Sequence, residues 1–244
     1  MEQKYAVQMK NITKTFGHAI ANDNVSIDLE YGEILSLLGE NGSGKTTLMN
    51  MLSGIYFPDS GKILIDGKEA TIRSPHDAME LGVGMVHQHF KLVDVFTAAE
   101  NIILGLKEKE PLKNVIDKIK EICDKYGFEV DPNQKVYNMS VAQKQTLEIV
   151  KVLYRGANVL ILDEPTAALD PIAEFEVYNN FDKLVGGKTA VYISHRLSSC
   201  RFCDRIIVFD GGTIIEDGSH DKLMENTNGF YFNMYNTQAK HYQN

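Results

Sequence analysis

The sequence has few cysteines, and their spacing suits neither a disulfide framework nor a metal site. Three cysteines in 244 residues are too few for a scaffold held by disulfides. Cys200 and Cys203 form a single C-x-x-C pair, but a zinc site needs a second pair of ligands, and Cys123 alone does not supply one. We therefore expect ordinary thiols in a cytoplasmic protein.

Long apolar runs are also missing. No stretch approaches the roughly 20 apolar residues that cross a bilayer. The first ten residues lack the apolar centre of a signal peptide. We therefore expect a cytoplasmic chain that can reach a membrane only through a partner.

Positive charge is scarce as well. The net charge of −8 argues against a nucleic-acid partner held mainly by phosphate contacts, although a local basic patch remains possible. Apolar residues make up 43% of the chain and charged residues 24%, as in ordinary soluble globular proteins. A length of 244 residues allows one large α/β domain or a domain with a small insert. We expect residues 1–244 to form a single domain, and they contain no internal repeat.

The apolar patterns predict the order of the structural elements. Alternating apolar residues in the first thirty positions predict an antiparallel β-subdomain, and helical spacing predicts helices at 111–127 and 139–153. Further predicted strands lie at 34–38, 63–65, 159–162, 190–193, 206–209 and 213–215. Asp66-Gly67 after the second of these predicts a hairpin, and the last two strands, around Gly211-Gly212, predict a terminal hairpin. This order predicts an α/β fold, a phosphate-loop core with a helical insert at about 90–154 and a helical tail at about 219–244.

Residues 39–46 carry the most informative motif, G-x-x-x-x-G-K-[ST], whose backbone N–H groups surround a di- or triphosphate. The candidate phosphate-binding residues are Gly39, Glu40, Asn41, Gly42, Ser43, Gly44, Lys45 and Thr46, with Thr47 next to them. We expect Lys45 to reach the β- and γ-phosphates and the Thr46 hydroxyl to ligate Mg²⁺. The motif alone is compatible with motors, GTPases, kinases and transport ATPases.

Two adjacent carboxylates follow a predicted buried strand. Asp163 and Glu164 come directly after the apolar run at 159–162, at the strand end where open α/β sheets bind ligands. Asp163 is expected to hold Mg²⁺, and Glu164 to orient or deprotonate an attacking water. Helix capping or simple exposure to solvent is the alternative explanation for the pair.

Residues 163–170, which read Asp-Glu-Pro-Thr-Ala-Ala-Leu-Asp, resemble the Walker B segment and D-loop of ABC ATPases. The family's other markers follow in its order: Phe16, Gln88, in Val-His-Gln-His-Phe, and His195, in Ile-Ser-His-Arg. The resemblance implies that Phe16 stacks on adenine, that Gln88 ligates Mg²⁺ and senses the γ-phosphate, and that Asp170 lies at the nucleotide. It also implies that His195 is catalytic together with Glu164. Taken singly, Phe16 would be a core residue and His195 a structural histidine.

The family's signature, Leu-Ser-Gly-Gly-Gln, is altered in this chain. Residues 139–143, the signature segment, read Met-Ser140-Val141-Ala142-Gln143. In ABC dimers this segment approaches the γ-phosphate bound by the opposite subunit, so all four residues from 140 to 143 are implied nucleotide contacts. Val141 and Ala142 keep their N–H groups but add Cβ atoms, and valine is the costlier change if a positive φ is needed.

The resemblance differs between the two ends of the chain. Residues 9–106 look most like the ATPases of simple-sugar and nucleoside importers, which usually carry two ATPase halves in one chain. Residues from about 187 onward, including the aromatic tail at 230–242, look more like exporter ATPase domains, which usually follow a membrane region. This mixture raises the hypothesis of a chimeric, truncated or designed chain.

Together these features predict an ATP-binding and ATP-hydrolysing subunit or domain of an ABC transporter, with ATP and Mg²⁺ as cofactors. The implied partners are a second ABC ATPase domain, as a homodimer or heterodimer, and a transmembrane permease, which docks in the cleft after Gln88, lined by Phe90 and the helical insert. The protein would thus lie at the inner face of the cell membrane. The alternatives are an ABC ATPase without a transport role and a dimerising ATP-binding module whose altered signature segment makes it a weak ATPase.

Overall fold

A computed structural model describes residues 4–106, 111–164, 188–194, 200 and 202–241. Its N-terminal part is an antiparallel sheet. The strands β1 (Tyr5–Phe16), β2 (Ala19–Glu30), β4 (Ser60–Ile65) and β5 (Lys68–Ala70) lie in the order β2-β1-β4-β5. The turn between β4 and β5 is formed by Asp66 and Gly67, with φ of 51° and 72°, as a tight hairpin requires. The predicted antiparallel subdomain and its hairpin are confirmed.

The second sheet is mostly parallel and carries the phosphate loop. It consists of β3 (Ile34–Gly39), β6 (Val83–Val86), β7 (Val159–Asp163), β8 (Thr189–Ser194), β9 (Arg205–Asp210) and β10 (Thr213–Gly218). In the described residues the strand order is β10-β9-β3-β8-β7-β6, with only β10 antiparallel to its neighbour. β7 and β8 are buried at every position, which explains their unbroken apolar runs.

The predicted terminal hairpin is confirmed, but it is not a separate unit, because β9 also pairs in parallel with β3. The short strand β6 was missed. It is four residues long and contains Gly84, where an added Cβ would lie 2.2 Å from Cγ1 of Val152. Position 84 must therefore be glycine, because Val152 packs too closely for a side chain. The glycine interrupts the run of apolar residues that would otherwise predict strand β6.

The helices are α1 (Lys45–Leu52), α2 (Pro75–Glu80), α3 (Ala98–Ile103), α4 (Leu112–Tyr126), α5 (Val141–Tyr154), α6 (His220–Glu225) and α7 (Phe230–His241). α4 ends as predicted, with Gly127 in the left-handed region at φ 71°. α5 begins two residues later than predicted, because Ser140 is its N-cap residue. Among these described helices, none is both long enough and apolar enough to cross a bilayer.

The apolar side chains fall into several clusters. The largest joins α1 to both sheets, with Leu48 and Met51 packed among residues such as Met9 and Leu37. A second cluster lies within the helical insert and is formed by α3, α4 and α5. Since α1 starts at the phosphate loop and is anchored on both sheets, the position of the loop is fixed by the main core.

Candidate functional site

The phosphate loop folds around the Lys45 side chain. Lys45 is only 4% exposed, and its Nζ donates to the carbonyl oxygens of Gly39 and Glu40 at 2.8 Å and to Oγ of Ser43 at 3.1 Å. Burial lowers the pKa of Lys45, against the opposing effect of Glu164, Asp163 and Glu40. The ammonium group is thus a concentrated positive charge held by the loop.

Glycine is required in the phosphate loop for two reasons: the positive φ angles of its turns and the close approach of neighbouring main chains. Gly44 has φ 101°, and an added Cβ would lie 2.2 Å from the carbonyl oxygen of Ala21. At Gly39 an added Cβ would lie 2.3 Å from the carbonyl oxygen of Phe209. At Gly42 nothing lies within 4 Å, so the loop is open there. The main chains of β2 and β9 therefore pack closely against Gly44 and Gly39, whereas Gly42, in the middle of the loop, has no such neighbour.

Asn22 is a supporting residue that sequence reasoning missed. It lies on β2, is fully buried, and donates from Nδ2 to the carbonyl oxygen of Gly44 at 3.2 Å. Gly212, in the turn before β10, donates its N–H to the carbonyl oxygen of Ser43 at 3.2 Å. Both contacts join segments far apart in sequence, and neither residue belongs to a recognisable motif, so no sequence signal marks them.

The two predicted Mg²⁺ ligands of the core lie side by side. Oγ1 of Thr46 donates to Oδ1 of Asp163 at 3.3 Å, because the ends of β3 and β7 lie on the same edge of the sheet, with β8 between them. Asp163 is 7% exposed. Burial raises the pKa of its carboxyl group, while Thr46 and Lys45 act in the opposite direction.

Glu164 meets Gln88 across the same edge. Nε2 of Gln88 donates to Oε2 of Glu164 at 3.1 Å. Glu164 has φ 45°, a left-handed conformation that costs about 1–2 kcal/mol for a residue with a Cβ. Its N–H donates to the carbonyl oxygen of Ile193 at the end of β8. The strained turn directs the carboxylate out of the strand and towards Gln88.

The signature segment starts helix α5. Oγ of Ser140 accepts from the Gln143 N–H at 3.2 Å, and Oε1 of Gln143 accepts from the Ser140 N–H at 2.9 Å, which is a capping box. Val141 and Ala142 belong to the helix and have no positive φ. The backbone therefore makes no demand for glycine, and the conformational cost considered for Val141 does not arise. Among the described residues, no hydrogen bond joins this segment to the phosphate loop.

The predicted adenine-stacking residue is accessible. Phe16, at the end of β1, is 45% exposed, and the edge of its ring meets Tyr56 at 5.2 Å between centroids and 70° between planes. Nζ of Lys14 lies 5.5 Å from the centre of the Phe16 ring. Tyr56 was not singled out in the sequence, because it lies forty residues along the chain in a loop without a motif.

Asp170 and His195, which the resemblance implicated, lie outside the described residues. His87 and His89, on either side of Gln88, follow β6 and do not lie on a strand. Burial lowers the pKa of His87. Neither histidine belongs to the one potential metal-binding group in the described part of the chain, which is His76, Asp77 and Glu80 on α2.

A cavity of about 670 Å³ lies between the core and the helical insert. Its lining includes Met79 and Met85 from the core side, Leu106 and Tyr154 from the insert, and His87 after β6. Phe90, which was expected in this cleft, is not among the lining residues. Cationic side chains also line it: Lys91, Lys118, Lys151 and Arg155.

The residues present fit a magnesium-bound triphosphate. The loop offers the start of α1, whose first N–H groups have no partner within the helix, together with the buried ammonium of Lys45 and the open face at Gly42. These groups favour an anion. Opposite them, the Thr46 hydroxyl and the Asp163 carboxylate are oxygen ligands of the kind that Mg²⁺ prefers.

The comparisons with known proteins agree with this geometry. The sequence profile of the ABC transporter family matches residues 22–167. The nucleoside import ATP-binding protein NupA of Lactococcus lactis subsp. cremoris is 46% identical over 222 residues, which is 88% of this chain and 44% of NupA. The chain thus spans less than half the length of this curated relative.

Solved structures share the whole fold. The structure of cbiO1 from Clostridium perfringens, part of the ABC transporter complex cbiONQ, has a TM-score of 0.80 and 26% identity, covering 92% of each chain. MJ0796, a dimeric bacterial ABC transporter cassette, has a TM-score of 0.76 and 26% identity, covering 87% of this chain and 98% of its own. The phosphate loop with its facing carboxylates, the profile match and these folds lead to one conclusion: the chain belongs to the ABC transporter family.

Proposed function

We propose that this chain binds ATP with Mg²⁺ and hydrolyses the ATP as the energy-supplying component of a transporter. The observation that carries this proposal is the juxtaposition of Thr46 with Asp163 at 3.3 Å, next to the buried Lys45 ammonium. The Lys45 ammonium suits phosphate, and the pair of Thr46 and Asp163 suits a divalent cation. ATP hydrolysis by P-loop enzymes requires both. When bound, the cation would neutralise negative charge on the phosphates.

Each side chain of the site has a proposed role. Residues 39–47 hold the phosphates, with Lys45 on the outer ones, and Phe16 stacks on the base. Thr46, Asp163 and Gln88 provide oxygen ligands for Mg²⁺. Glu164 is the catalytic base, since a carboxylate at a strand end can orient and deprotonate a water. Asp170 and His195 are proposed to complete the site on the strength of the resemblance.

The proposed active form is a dimer of ATPase domains. The signature residues Ser140, Val141, Ala142 and Gln143 lie at the exposed start of α5, on the helical insert, and no described hydrogen bond connects them to the phosphate loop of the same chain. They would contact nucleotide on a second domain. The similarity to MJ0796, a cassette described as dimeric, supports this arrangement.

The proposed membrane partner is a permease, and the proposed direction of transport is import. The 46% identity to NupA, named as a nucleoside import protein, supports import and a place at the inner face of the membrane. We propose that the permease occupies the 670 Å³ cavity between core and insert. We propose that the cargo is determined by that permease.

Steady-state ATP turnover with and without Mg²⁺ tests the proposed activity. Replacing Lys45 by alanine should reduce turnover by roughly 100-fold or more, because the phosphates lose their buried countercharge. The matched control is Lys62→Ala, since Lys62 forms a surface ion pair with Glu69 at 2.8 Å on the antiparallel sheet. A Lys45→Ala variant as active as wild type, or a wild-type chain without turnover, would contradict the proposal.

Co-purification from detergent-solubilised membranes tests the docking site. Leu106 lines the cavity and is 38% exposed, whereas Leu112 is 46% exposed and lies outside the lining. Leu106→Lys should release the permease, because it adds a cation to a cavity already lined by Lys118, Lys151 and Arg155. Leu112→Lys should leave the complex intact. Equal retention by both variants would refute the placement of the permease in this cavity.

A further inference from the structure

The segment after Gln88 is held by side chains of the helical insert. Residues 87–93 belong to neither a helix nor a strand. Even so, the main-chain N–H and C=O of Lys91 both have side-chain partners, and the same is true of Val93. The partners come from α5 and α3, so the end of this loop is tied to the helical insert at two alternate residues.

The first attachment, at Lys91, is made by an ion pair on α5. Oε1 of Glu148 accepts from the Lys91 N–H at 2.6 Å, and Nζ of Lys151 donates to the Lys91 carbonyl oxygen at 3.1 Å. Glu148 and Lys151 are 2.7 Å apart, with side chains only 4% and 12% exposed. The two side chains and the Lys91 peptide groups thus close a ring at the wall of the cavity, and its bonds are strengthened by the charges of the ion pair.

The second attachment, at Val93, is made by one amide on α3. Oδ1 of Asn101 accepts from the Val93 N–H at 2.7 Å, and its Nδ2 donates to the Val93 carbonyl oxygen at 3.1 Å. Asn101 is 2% exposed. Between the two attachments, Leu92 packs against the apolar cluster of the helical insert. Residues 91–93 are therefore attached to the insert, whereas Val86 lies in β6 of the core sheet.

We propose that Glu148, Lys151 and Asn101 are positioning residues that set the reach of Gln88. This inference rests on the proposed function, in which Gln88 acts at the nucleotide. Gln88 lies three positions before its fixed point at Lys91, which limits the span to about 11 Å. Without the Lys91 attachment, Val93 becomes the fixed point, and the span rises to about 17 Å. Without both, the nearest fixed point is Asp94, whose carbonyl oxygen accepts from the Tyr137 N–H at 3.1 Å and whose carboxylate pairs with Lys144 at 3.1 Å, and the span rises to about 20 Å.

The two attachments therefore contribute unequally. Loss of the Lys91 attachment lengthens the free segment, so Gln88 is held less firmly at the Mg²⁺ position. Loss of the Val93 attachment alone changes little for Gln88, because Lys91 remains fixed. Loss of both should exceed the sum of the single effects, as expected for coupled sites.

Separate measurements of ATP affinity and turnover test the proposal. Glu148→Ala should lower turnover by about tenfold, as expected for the loss of a charge-assisted hydrogen bond, with ATP affinity within about twofold of wild type, because the phosphate loop is untouched. Glu148→Gln keeps an acceptor for the Lys91 N–H and should restore most of the turnover. Asn101→Ala should have a small effect alone and a large one together with Glu148→Ala.

Glu33→Ala is the matched control. Glu33, whose side chain is 11% exposed, is another carboxylate that accepts a main-chain N–H, from Glu30 at 2.7 Å, but it precedes β3 at the other end of the sheet. Its removal should leave turnover unchanged. Wild-type turnover in Glu148→Ala, no recovery in Glu148→Gln, or a parallel loss of affinity and turnover would overturn the proposal.

Amide hydrogen exchange of the unaltered chain gives a second test that needs no nucleotide. The Lys91 and Val93 amides should exchange slowly although they lie in no regular element, and the Lys91 amide should become fast in Glu148→Ala. Rapid exchange at both positions in the wild-type chain would refute the attachments themselves. Failure of the proposed ATPase would instead appear as a wild-type chain without turnover and with these two amides still protected.

Discussion

The Gln88 amide and the Glu164 carboxylate form a hydrogen bond of 3.1 Å between residues 76 positions apart. The bond joins the segment after β6 to the end of β7, two neighbouring parallel strands. Glu164 reaches it from a left-handed backbone conformation, φ 45°. A strained, hydrogen-bonded carboxylate next to a phosphate loop is an arrangement suited to holding a catalytic base in one orientation.

Replacing Glu164 with glutamine should abolish turnover and preserve ATP binding. The amide is isosteric and can still pair with Gln88, but it cannot accept a proton from water. General-base catalysis contributes about 10²–10⁴-fold, so we expect a loss of that size in steady-state turnover, with ATP affinity unchanged by titration. A variant that retains normal turnover would remove Glu164 from the catalytic role.

Replacing Asp163 with asparagine should stabilise the nucleotide-free protein at neutral pH while reducing Mg²⁺-dependent turnover by roughly 100-fold. Burial raises the pKa of Asp163 above its ordinary value of 3.8. The native state therefore binds a proton on the Asp163 carboxyl group more tightly than the unfolded chain does. The stabilisation that this proton provides is lost as pH rises from 3.8 through the native pKa. Asparagine keeps an acceptor for Thr46 without the charge.

Urea unfolding at several pH values measures this effect. The advantage of Asp163→Asn in free energy of unfolding should grow as pH rises from 4 and vanish below the ordinary pKa. Asp59→Asn is the control of opposite sign, because Lys14 and Thr15 lower the pKa of Asp59 to about 2. That variant should be the less stable one at neutral pH, with the difference disappearing as pH falls through about 2. An Asp163→Asn variant less stable than wild type at pH 7 would contradict the burial argument.

Restoring glycines in the signature segment should not accelerate the enzyme. Val141 and Ala142 lie in the first turn of α5 without positive φ, so glycine relieves no strain there. It should instead weaken the helix by up to about 1 kcal/mol per site. We expect Val141→Gly/Ala142→Gly to change turnover by less than about twofold and to lower the melting temperature. A tenfold gain in turnover would show that the Cβ atoms obstruct the opposing nucleotide.

The sequence was sufficient for most of the fold because its signals are local. Continuous apolar runs gave the buried strands of the parallel sheet, and Gly127 gave the end of α4. The other features of the fold could not be predicted, because they depend on tertiary packing. The alternation that predicts a strand fails at Gly84, which is a glycine because α5 passes too close for a side chain, and no local signal shows that β9 joins β3.

The residues of the candidate site also divide into those marked by a local sequence signal and those that depend on tertiary contacts. Lys45, Thr46 and Asp163 were identifiable because the chemistry of phosphate and Mg²⁺ requires these residue types at fixed spacings. Asn22 and Glu148 were not, because each acts on a main-chain group distant in sequence. Asn101 was not, because no motif marks its two bonds to the main chain of Val93. A supporting residue of this kind can be recognised only when the structure shows which main-chain group its side chain reaches.

Phe16 should contribute to ATP affinity but not to the affinity for inorganic tripolyphosphate. Its ring is 45% exposed and can stack on a base, an interaction worth about 1–3 kcal/mol. Phe16→Leu should therefore weaken ATP binding by about tenfold, the equivalent of roughly 1.4 kcal/mol, and leave tripolyphosphate binding unchanged. Competitive titration of both ligands against a fluorescent nucleotide measures the two affinities separately.

Tyr56 should share part of this effect, because its contact at 5.2 Å steadies the Phe16 ring. Tyr56→Leu should therefore weaken ATP binding less than Phe16→Leu does, and should add little to it in the double variant, since its action passes through Phe16. Phe57→Leu is the control, because Phe57 is 46% exposed in the same loop. Equal weakening of ATP and tripolyphosphate by Phe16→Leu would indicate damage to the phosphate loop and contradict base stacking at this position.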